Sequence, residues 1–216
     1  IPDVVVLGEA SLNLGWSVSS AGDVNRDGYS DIIVGAPGHN LIHGKVYIFF
    51  GSPAMDSSAD LTITGSTGFY FGISVSTAGD VNGDGYDDVI VGAKGLSYGK
   101  AYIYYGGSSM DGGADLTMVG EAANEELGCS VSTAGDVNGD GYSDVIIGAK
   151  GYSSSTGRAD IYFGGASMNN VADVTMTGEN VNNLFGVQVS SARDVNGDGF
   201  DDVIISAVGH NSGTGR

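Results

Sequence analysis

The hydrophobic residues of this chain fall into short runs that recur in the same order along its 216 residues. Each unit opens with a run such as "GISVSTAGDV" and passes through an acidic loop into a solid apolar run such as "DVIVGA". An aromatic run such as "KAYIYYG" and an alternating run such as "LTITG" complete the unit. All four runs are rich in Val, Ile, Tyr and Thr between Gly, Asp or Ser, so the pattern predicts four short β-strands per unit.

The four runs also predict different degrees of burial for their strands. The second run has consecutive apolar residues, which predicts a central strand covered on both faces. The fourth alternates, as in Leu61-Thr62-Ile63-Thr64, which predicts an outer strand with one face in water. Four antiparallel strands graded in this way describe a blade of an all-β protein, the β-propeller. A stacked solenoid is the rival architecture, but its units are usually shorter, about 20–45 residues.

Aligning the acidic loops gives the domain organisation. Asp23, Asp80, Asp136 and Asp194 come into register at spacings of 57, 56 and 58 residues. Three units are complete and the fourth contains two strands, so we expect a four-bladed ring or part of a larger propeller, for example one of seven blades. A single propeller domain is predicted over 1–216, with repeats at roughly 9–64, 66–120, 122–178 and 180–216, and with 3–8 as an outer strand that closes the last blade.

Charge and cysteine content narrow the functional classes. The net charge of −18 argues against nucleic acid or an anionic membrane as partner, because both favour basic patches. No apolar run approaches the roughly 18 residues of a membrane-spanning helix, so no membrane insertion is expected. One cysteine, Cys129, excludes a disulfide framework within the chain, and its apolar surroundings predict a buried, unreactive thiol.

The acidic loops carry the candidate chemistry. In Asp136–Asp144, oxygen-bearing side chains stand at loop positions 1, 3, 5 and 9, and Gly141 at position 6 permits a sharp turn with positive φ. With the carbonyl of position 7, these groups form an all-oxygen cage of the kind that suits Ca²⁺ at about 2.3–2.6 Å. Bound cations would offset the repulsion between the crowded carboxylates.

Two other interpretations of the loop fit the sequence less well. An EF-hand needs a glutamate at position 12 and flanking helices, whereas the chain has β-branched flanks and Val34, Val91, Ile147 and Ile205 at position 12. The EF-hand is therefore excluded. A merely solvated Asx-rich turn would suit one isolated copy, but four copies with the same acidic pattern argue against it.

The combined motif resembles the FG-GAP repeat of integrin α-subunit propellers and related bacterial surface proteins. "FG" stands at Phe71-Gly72 and Phe185-Gly186, and "GAP" at Gly35-Ala36-Pro37. The resemblance implies that each loop joins the first two strands of a blade on one rim of the disc and that about four Ca²⁺ ions bind. The ligands it implies are Asp23, Asn25, Asp27 and Asp31; Asp80, Asn82, Asp84 and Asp88; Asp136, Asn138, Asp140 and Asp144; Asp194, Asn196, Asp198 and Asp202; and the carbonyls of Tyr29, Tyr86, Tyr142 and Phe200.

Four residues near these sites depart from the simple pattern. Arg26 and Arg193 replace loop glycines, and we expect both side chains to point outward. Asp87 and Asp201 stand at loop position 8, where we expect them to face outward or to act as an outer charge rather than as ligands.

No catalytic constellation stands out, so we expect that the chain is not an enzyme. The resemblance to integrin α-subunit propellers implies a calcium-binding extracellular or cell-surface module that binds a protein or glycan ligand. Its candidate recognition loops vary while the strands repeat. One alternative is the non-catalytic or lyase portion of a surface enzyme that acts on polysaccharide or phospholipid. Another is a structural repeat that self-associates through open blade edges. The candidate loops are 38–44, 95–99, 151–157 and 209–215, with a second set around 52–59, 108–114 and 166–172.

Overall fold

The repeated runs form antiparallel sheets in the computed structural model, which describes residues 4–8, 13–38, 43–66, 69–95 and 97–216. Three sheets have four strands and the last has two, and we number them blade 1 to blade 4 along the chain. In each, consecutive strands are neighbours. The strands are β1 (Ser17–Gly22), β2 (Asp31–Ala36), β3 (Lys45–Phe49), β4 (Leu61–Thr64), β5 (Phe69–Gly79), β6 (Asp88–Gly95), β7 (Lys100–Tyr104), β8 (Leu116–Val119), β9 (Leu127–Gly135), β10 (Asp144–Ala149), β11 (Arg158–Tyr162), β12 (Val174–Thr177), β13 (Phe185–Arg193) and β14 (Asp202–Ala207).

The predicted gradient of burial is confirmed in the complete blades. Strand β10 is buried along its whole length, and β6 is buried at all but one residue. The outer strand β4 alternates, with Ile63 buried and both threonines exposed. The all-β fold of four-stranded propeller blades is therefore the one that the hydrophobic pattern predicts.

The hydrophobic core lies between blades. We call the side of a blade that meets the preceding blade its front face and the other side its back face. Ile33 on the back of blade 1 belongs to one buried cluster with Val75 and Val89 on the front of blade 2. Ile90 of blade 2 and Ile146 of blade 3 occupy the same place in the next two clusters. Each blade therefore buries its apolar surface mainly by stacking on its neighbours.

Hydrogen bonds cross the same junctions at equivalent places. The amide of Val75 in blade 2 donates to Ser17 Oγ of blade 1 at 3.0 Å. The amide of Val131 donates to Ser74 Oγ at 3.0 Å, and the amide of Val189 donates to Ser130 Oγ at 3.1 Å. One serine in the first strand thus satisfies an amide of the following blade at every junction in the chain.

The closing strand expected at 3–8 is not formed in the described part, residues 4–8, and residue 3 lies outside the described residues. Among the described residues, blade 4 consists of β13 and β14. Instead Val6, Leu7 and Gly8 line a cavity of about 100 Å³ together with Tyr47 and Phe49. This segment therefore lies against the front face of blade 1.

Two short helical turns complete the described structure, α1 (Tyr152–Ser155) and α2 (His210–Gly213). Among the residues described, no helix has both the length and the apolar character needed to cross a membrane.

Candidate metal centres

The four acidic loops share one hydrogen-bonded conformation and join the first and second strands of each blade. In blade 3 the amide of Asp140 donates to Asp136 Oδ1 at 3.1 Å, and the amide of Gly141 donates to Asp136 Oδ2 at 2.9 Å. The same two bonds reach Asp23, Asp80 and Asp194. Gly141 has φ of 91°, as its position in the turn predicts.

The side chains at positions 3 and 5 fold toward each other. Asn138 Oδ1 accepts the amide of Asp140 at 2.9 Å, while Asn138 Nδ2 donates to Asp140 Oδ2 at 2.9 Å. The amide of Tyr142 donates to Asp140 Oδ1 at 3.0 Å. Equivalent bonds occur in the other three loops. Positions 1, 3 and 5 are therefore held within one tight turn.

The aspartate at position 9 ties the loop to its blade. Asp144 is fully buried; its Oδ2 accepts the amide of Val137 at 2.9 Å and its Oδ1 accepts the amide of Gly164 at 2.8 Å. Asp31 and Asp88 make the same pair of bonds. These carboxylates therefore join the start of the acidic loop to the end of the third strand.

Burial makes some of these carboxylates costly to ionise. It raises the pKa of Asp88 to about 7 and that of Asp144 to about 6; amide hydrogen bonds oppose the rise and two neighbouring aspartates in each loop add to it. The pKa of Asp31 is also raised by burial. Asp194 lies in the more open fourth loop. Its pKa is lowered by the hydrogen bonds that it accepts from backbone amides, chiefly that of Gly199. A cation beside the buried acids would favour their ionised form.

The donor chemistry of the loops fits a hard divalent cation. All the side-chain atoms that could bind a metal are oxygens. An ionised carboxylate has about four lone-pair sites, so the hydrogen bonds from backbone amides leave lone pairs available for a cation. Within the described residues, however, no three His, Cys, Asp or Glu side chains converge closely enough to hold an ion as they stand. The loop fold collects positions 1, 3 and 5, and the assignment of the twenty ligands stays a prediction.

Asp87 and Asp201 do not face outward, so that alternative is wrong; each lies as an outer charge beside the first residue of the preceding acidic loop. Asp87 Oδ2 in blade 2 accepts the amide of Asp23 in blade 1 at 2.8 Å, and the amide of Asp87 donates back to the Asp23 carbonyl at 3.2 Å. Asp201 makes the same two contacts with Asp136 at 2.9 and 3.0 Å. Position 8 therefore connects the acidic loops of consecutive blades, because the stacking of blades brings it beside the preceding loop.

The aromatic ring at position 7 also lies against the preceding loop. A Cβ atom added to Gly83 would come within 2.4 Å of the Tyr142 ring. In the first loop, position 4 is Arg26 instead, and its guanidinium lies 5.8 Å from the centre of the Tyr86 ring. Arg26 is exposed, and its guanidinium in addition lies against the next blade. Arg193 is exposed.

Comparison with known proteins agrees with these repeated units. The FG-GAP repeat profile matches residues 14–49, 71–105, 130–162 and 185–216, which is more than half of the chain. The chain belongs to the FG-GAP repeat family. It is 38% identical to integrin alpha-7 of Mus musculus over 168 residues, which are 74% of this chain and 14% of that protein.

The FG-GAP chain is also similar to a second integrin alpha subunit and to a phospholipase. Integrin alpha-5 of Xenopus laevis is 29% identical over 212 residues, covering 90% of this chain and 20% of that protein. Phosphatidylinositol-glycan-specific phospholipase D of Bos taurus is 35% identical over 178 residues, covering 71% of this chain and 21% of that protein. The chain thus spans about a fifth or less of the length of these relatives.

The FG-GAP blades also form a cavity at the rim opposite the acidic loops. Its volume is about 450 Å³, and it is lined by residues that include Trp16, Tyr70, Ile73, Lys94 and Glu126. Trp16 is 63% exposed. Two of the candidate recognition loops begin at this cavity, with Gly38 and Gly95 in its wall, although residues 39–42 and 96 lie outside the described residues.

Pattern reasoning missed a buried ionic cluster around Arg158, whose side chain is 8% exposed. Its Nη2 lies 2.8 Å from Glu125 Oε1 and its Nε lies 2.9 Å from Asp160 Oδ2, both on fully buried side chains. The guanidinium also lies 4.7 Å from the centre of the Tyr152 ring. Glu125 Oε2 accepts two amides of the connection between β8 and β9, from Glu121 and Ala122. The cluster anchors that connection to blade 3.

Proposed function

We propose that this FG-GAP chain is an extracellular or cell-surface binding module in which Ca²⁺ in the four acidic loops stabilises the propeller blades. The observation that carries the proposal is the common fold of the four loops, each of which holds the side chains of positions 1, 3 and 5 within one tight turn at the end of a blade. Its relatives named integrin alpha subunits support a role at the cell surface.

Calcium acts here mainly through folding. A ligand present at 100 times its Kd stabilises the folded state by about 2.7 kcal/mol per site, so four sites contribute on the order of 11 kcal/mol. That is comparable with the whole stability of a domain, roughly 5–15 kcal/mol. Asp136, Asn138, Asp140, Asp144 and the Tyr142 carbonyl would hold the ion in blade 3, and their equivalents would do so in the other blades.

Metal analysis and thermal unfolding test the calcium role. We expect about four Ca²⁺ per chain and a large fall in melting temperature on chelation. Asp136→Ala should lower the stoichiometry by about one ion and reduce the chelator-sensitive part of the stability. The matched control is Asp111→Ala, an aspartate whose Oδ1 accepts an amide of its own turn, from Gly113. A melting temperature indifferent to chelation would refute the calcium proposal.

The ligand of the module is a protein or glycan that binds at the rim opposite the acidic loops. The 450 Å³ cavity supports this location, because its size falls in the range of about 300–1,000 Å³ typical of ligand sites and it combines aromatic, amide and charged side chains. Glycan-array and pull-down binding by the calcium-loaded chain should be lost in Trp16→Ala. Val119→Ala, at an exposed valine of the outer strand β8 that lies outside both the cavity lining and the candidate recognition loops, should bind normally. Equal binding by both variants would rule out this site.

The similarity to phosphatidylinositol-glycan-specific phospholipase D favours a second candidate, a non-catalytic propeller portion of a phospholipid-acting enzyme. This candidate predicts that the 216-residue chain alone hydrolyses no phospholipid but binds the separate catalytic portion of such an enzyme. If the chain binds glycans or proteins but does not bind that catalytic portion, the result would favour the role as a binding module.

A further inference from the structure

Two lysines and one glutamate meet at the edge of the 450 Å³ cavity. Lys94 Nζ and Lys150 Nζ each lie 3.5 Å from the same oxygen of Glu126, Oε2. Lys94 lies in β6 of blade 2, Glu126 immediately precedes β9 of blade 3, and Lys150 immediately follows β10 of the same blade. The cluster therefore lies at the junction of the two middle blades, inside the array of repeats.

This cluster is positive in a protein that is otherwise strongly acidic. The chain has 8 Lys and Arg residues against 26 Asp and Glu residues, yet here two lysines share one acid. Among the described residues that line the cavity, Glu126 is the one acid and Lys94 the one cation. Because Lys150 also pairs with Glu126, the three side chains together keep one net positive charge beside the cavity.

The ammonium group of Lys94 has donors left for a further acceptor. It carries three N–H donors, and its 3.5 Å distance to Glu126 Oε2 is longer than the roughly 2.7–2.9 Å of a close charge-assisted bond. Its Nζ also lies 5.8 Å from the centre of the ring of Tyr70, its cross-strand neighbour. Since the side chain is 29% exposed, a ligand in the cavity can reach the ammonium group.

We propose that Lys94 binds the carboxylate of an acidic sugar, of the uronic or sialic acid class, carried by a glycan. This inference rests on the function proposed above, in which the cavity takes the ligand of the module. Lys94 is the contact residue. Lys150 is a positioning residue, because it pairs with Glu126 and so leaves the charge of Lys94 available to the ligand.

The rest of the cavity wall suits a sugar ring. Trp16 and Tyr70 supply flat aromatic faces, against which the C–H groups of a sugar ring can pack. Asn13 and Asn124 supply side-chain amides, each of which can donate to one hydroxyl group and accept from another. Because Tyr70 lies beside Lys94, a ring packed on Tyr70 places its carboxylate next to the ammonium group.

The charge of the whole chain limits how many acidic groups the ligand carries. A net charge of −18 repels a polyanion, whereas a single carboxylate needs only the local positive charge at Lys94. The site therefore favours a glycan with one acidic sugar over a sulfated polymer or a strongly acidic peptide.

A glycan array with matched pairs of probes tests the inference on the calcium-loaded chain. Each carboxylated glycan is printed beside the same glycan with its carboxylate reduced to a hydroxymethyl group. We expect binding to the acidic member to be about tenfold or more tighter than to the reduced member. Heparin and an aspartate-rich peptide, printed on the same array, should bind more weakly than the acidic glycans.

The outcomes separate this inference from the proposed function. Equal binding to both members of each pair would overturn the carboxylate site and leave the binding module intact. Tighter binding to heparin or to the acidic peptide would overturn the assignment of a singly acidic sugar. If the chain bound no glycan and pulled down no protein, both the inference and the proposed function would fail.

Two variants of opposite effect identify the contact residue. Lys94→Met keeps an apolar side chain beside the Tyr70 ring but removes the charge, so binding to the acidic glycan should weaken by about 10- to 100-fold while binding to the reduced form stays unchanged. Glu126→Gln removes the competing carboxylate and should tighten binding to the acidic form. Arg216→Met removes the same charge at a surface pair outside the cavity lining and should bind like wild type. A preference for the acidic form that survives in Lys94→Met would contradict the site.

The role of Lys150 is tested by rescue. Lys150→Met leaves Glu126 to pair with Lys94 alone, so binding to the acidic glycan should weaken. Adding Glu126→Gln to Lys150→Met should restore the binding, because Lys94 then has no competing carboxylate beside it. Thermal unfolding of each variant establishes that it is folded. A folded double variant that binds no better than Lys150→Met would show that Lys150 does not act through Glu126.

Discussion

At the scale of single residues, loop positions 7 and 8 have a role that the sequence of one repeat does not show. The side chains at both positions contact the neighbouring blade. Asp87 and Asp201 accept an amide of the preceding acidic loop, and Tyr142 packs on Gly83 of that loop. The acidic loops therefore form a connected row along one rim rather than four independent turns.

Replacing Asp87 with alanine should lower the free energy of unfolding by about 1–3 kcal/mol, because the Asp23 amide loses a charged acceptor in a partly buried place. Urea unfolding in calcium-containing buffer measures the loss. Asp56→Ala makes the same charge change at an exposed turn and should stay within about 0.5 kcal/mol of wild type. Equal stability of the two variants would show that the bond at position 8 contributes little.

At the scale of strands and loops, the sequence predicted the elements well because each is specified locally. The consecutive apolar residues of "DVIIGA" identify a central strand, and Gly141 identifies the sharp turn, without knowledge of any neighbour. The Asp23–Asp87 contact and the Arg158–Glu125 pair were not predictable in this way, since their partners lie 64 and 33 residues apart along the chain. The alternation of Ser and Asp at position 8, from Ser30 to Asp201, was the one available signal.

The Arg158 cluster anchors the connection between β8 and β9. We therefore expect that disrupting the cluster strongly lowers the stability of the protein. Arg158→Met leaves the fully buried carboxylates of Glu125 and Asp160 without their cation, so we expect a loss of about 3–5 kcal/mol in stability, measured by urea unfolding. Arg216→Met is the matched control. Arg216 pairs with Glu179 at the surface, and its loss should cost at most about 1 kcal/mol. Similar losses for the two arginines would argue against a special role for the buried cluster.

At the scale of the whole molecule, stability should fall from the middle blades toward both ends, because each blade is stabilised mainly by its neighbours. Among the described residues, blades 2 and 3 have a neighbouring blade on both faces, whereas blades 1 and 4 each have one on a single face. Hydrogen exchange measured by mass spectrometry at low protein concentration should show the slowest exchange in β6 and β10 and the fastest strand exchange in β13 and β14. Uniform protection across the four blades would indicate a single cooperative unit instead.

A Cβ atom added to Gly35, Gly92 or Gly148 would come within 2.0–2.1 Å of a glycine carbonyl oxygen of the next blade, and this close approach of the two main chains has an evolutionary consequence. Because main-chain atoms set the distance between adjacent sheets there, mutations in the outer loops can accumulate without altering the spacing of the array. Duplicated units can therefore acquire new surfaces independently while remaining interchangeable building blocks.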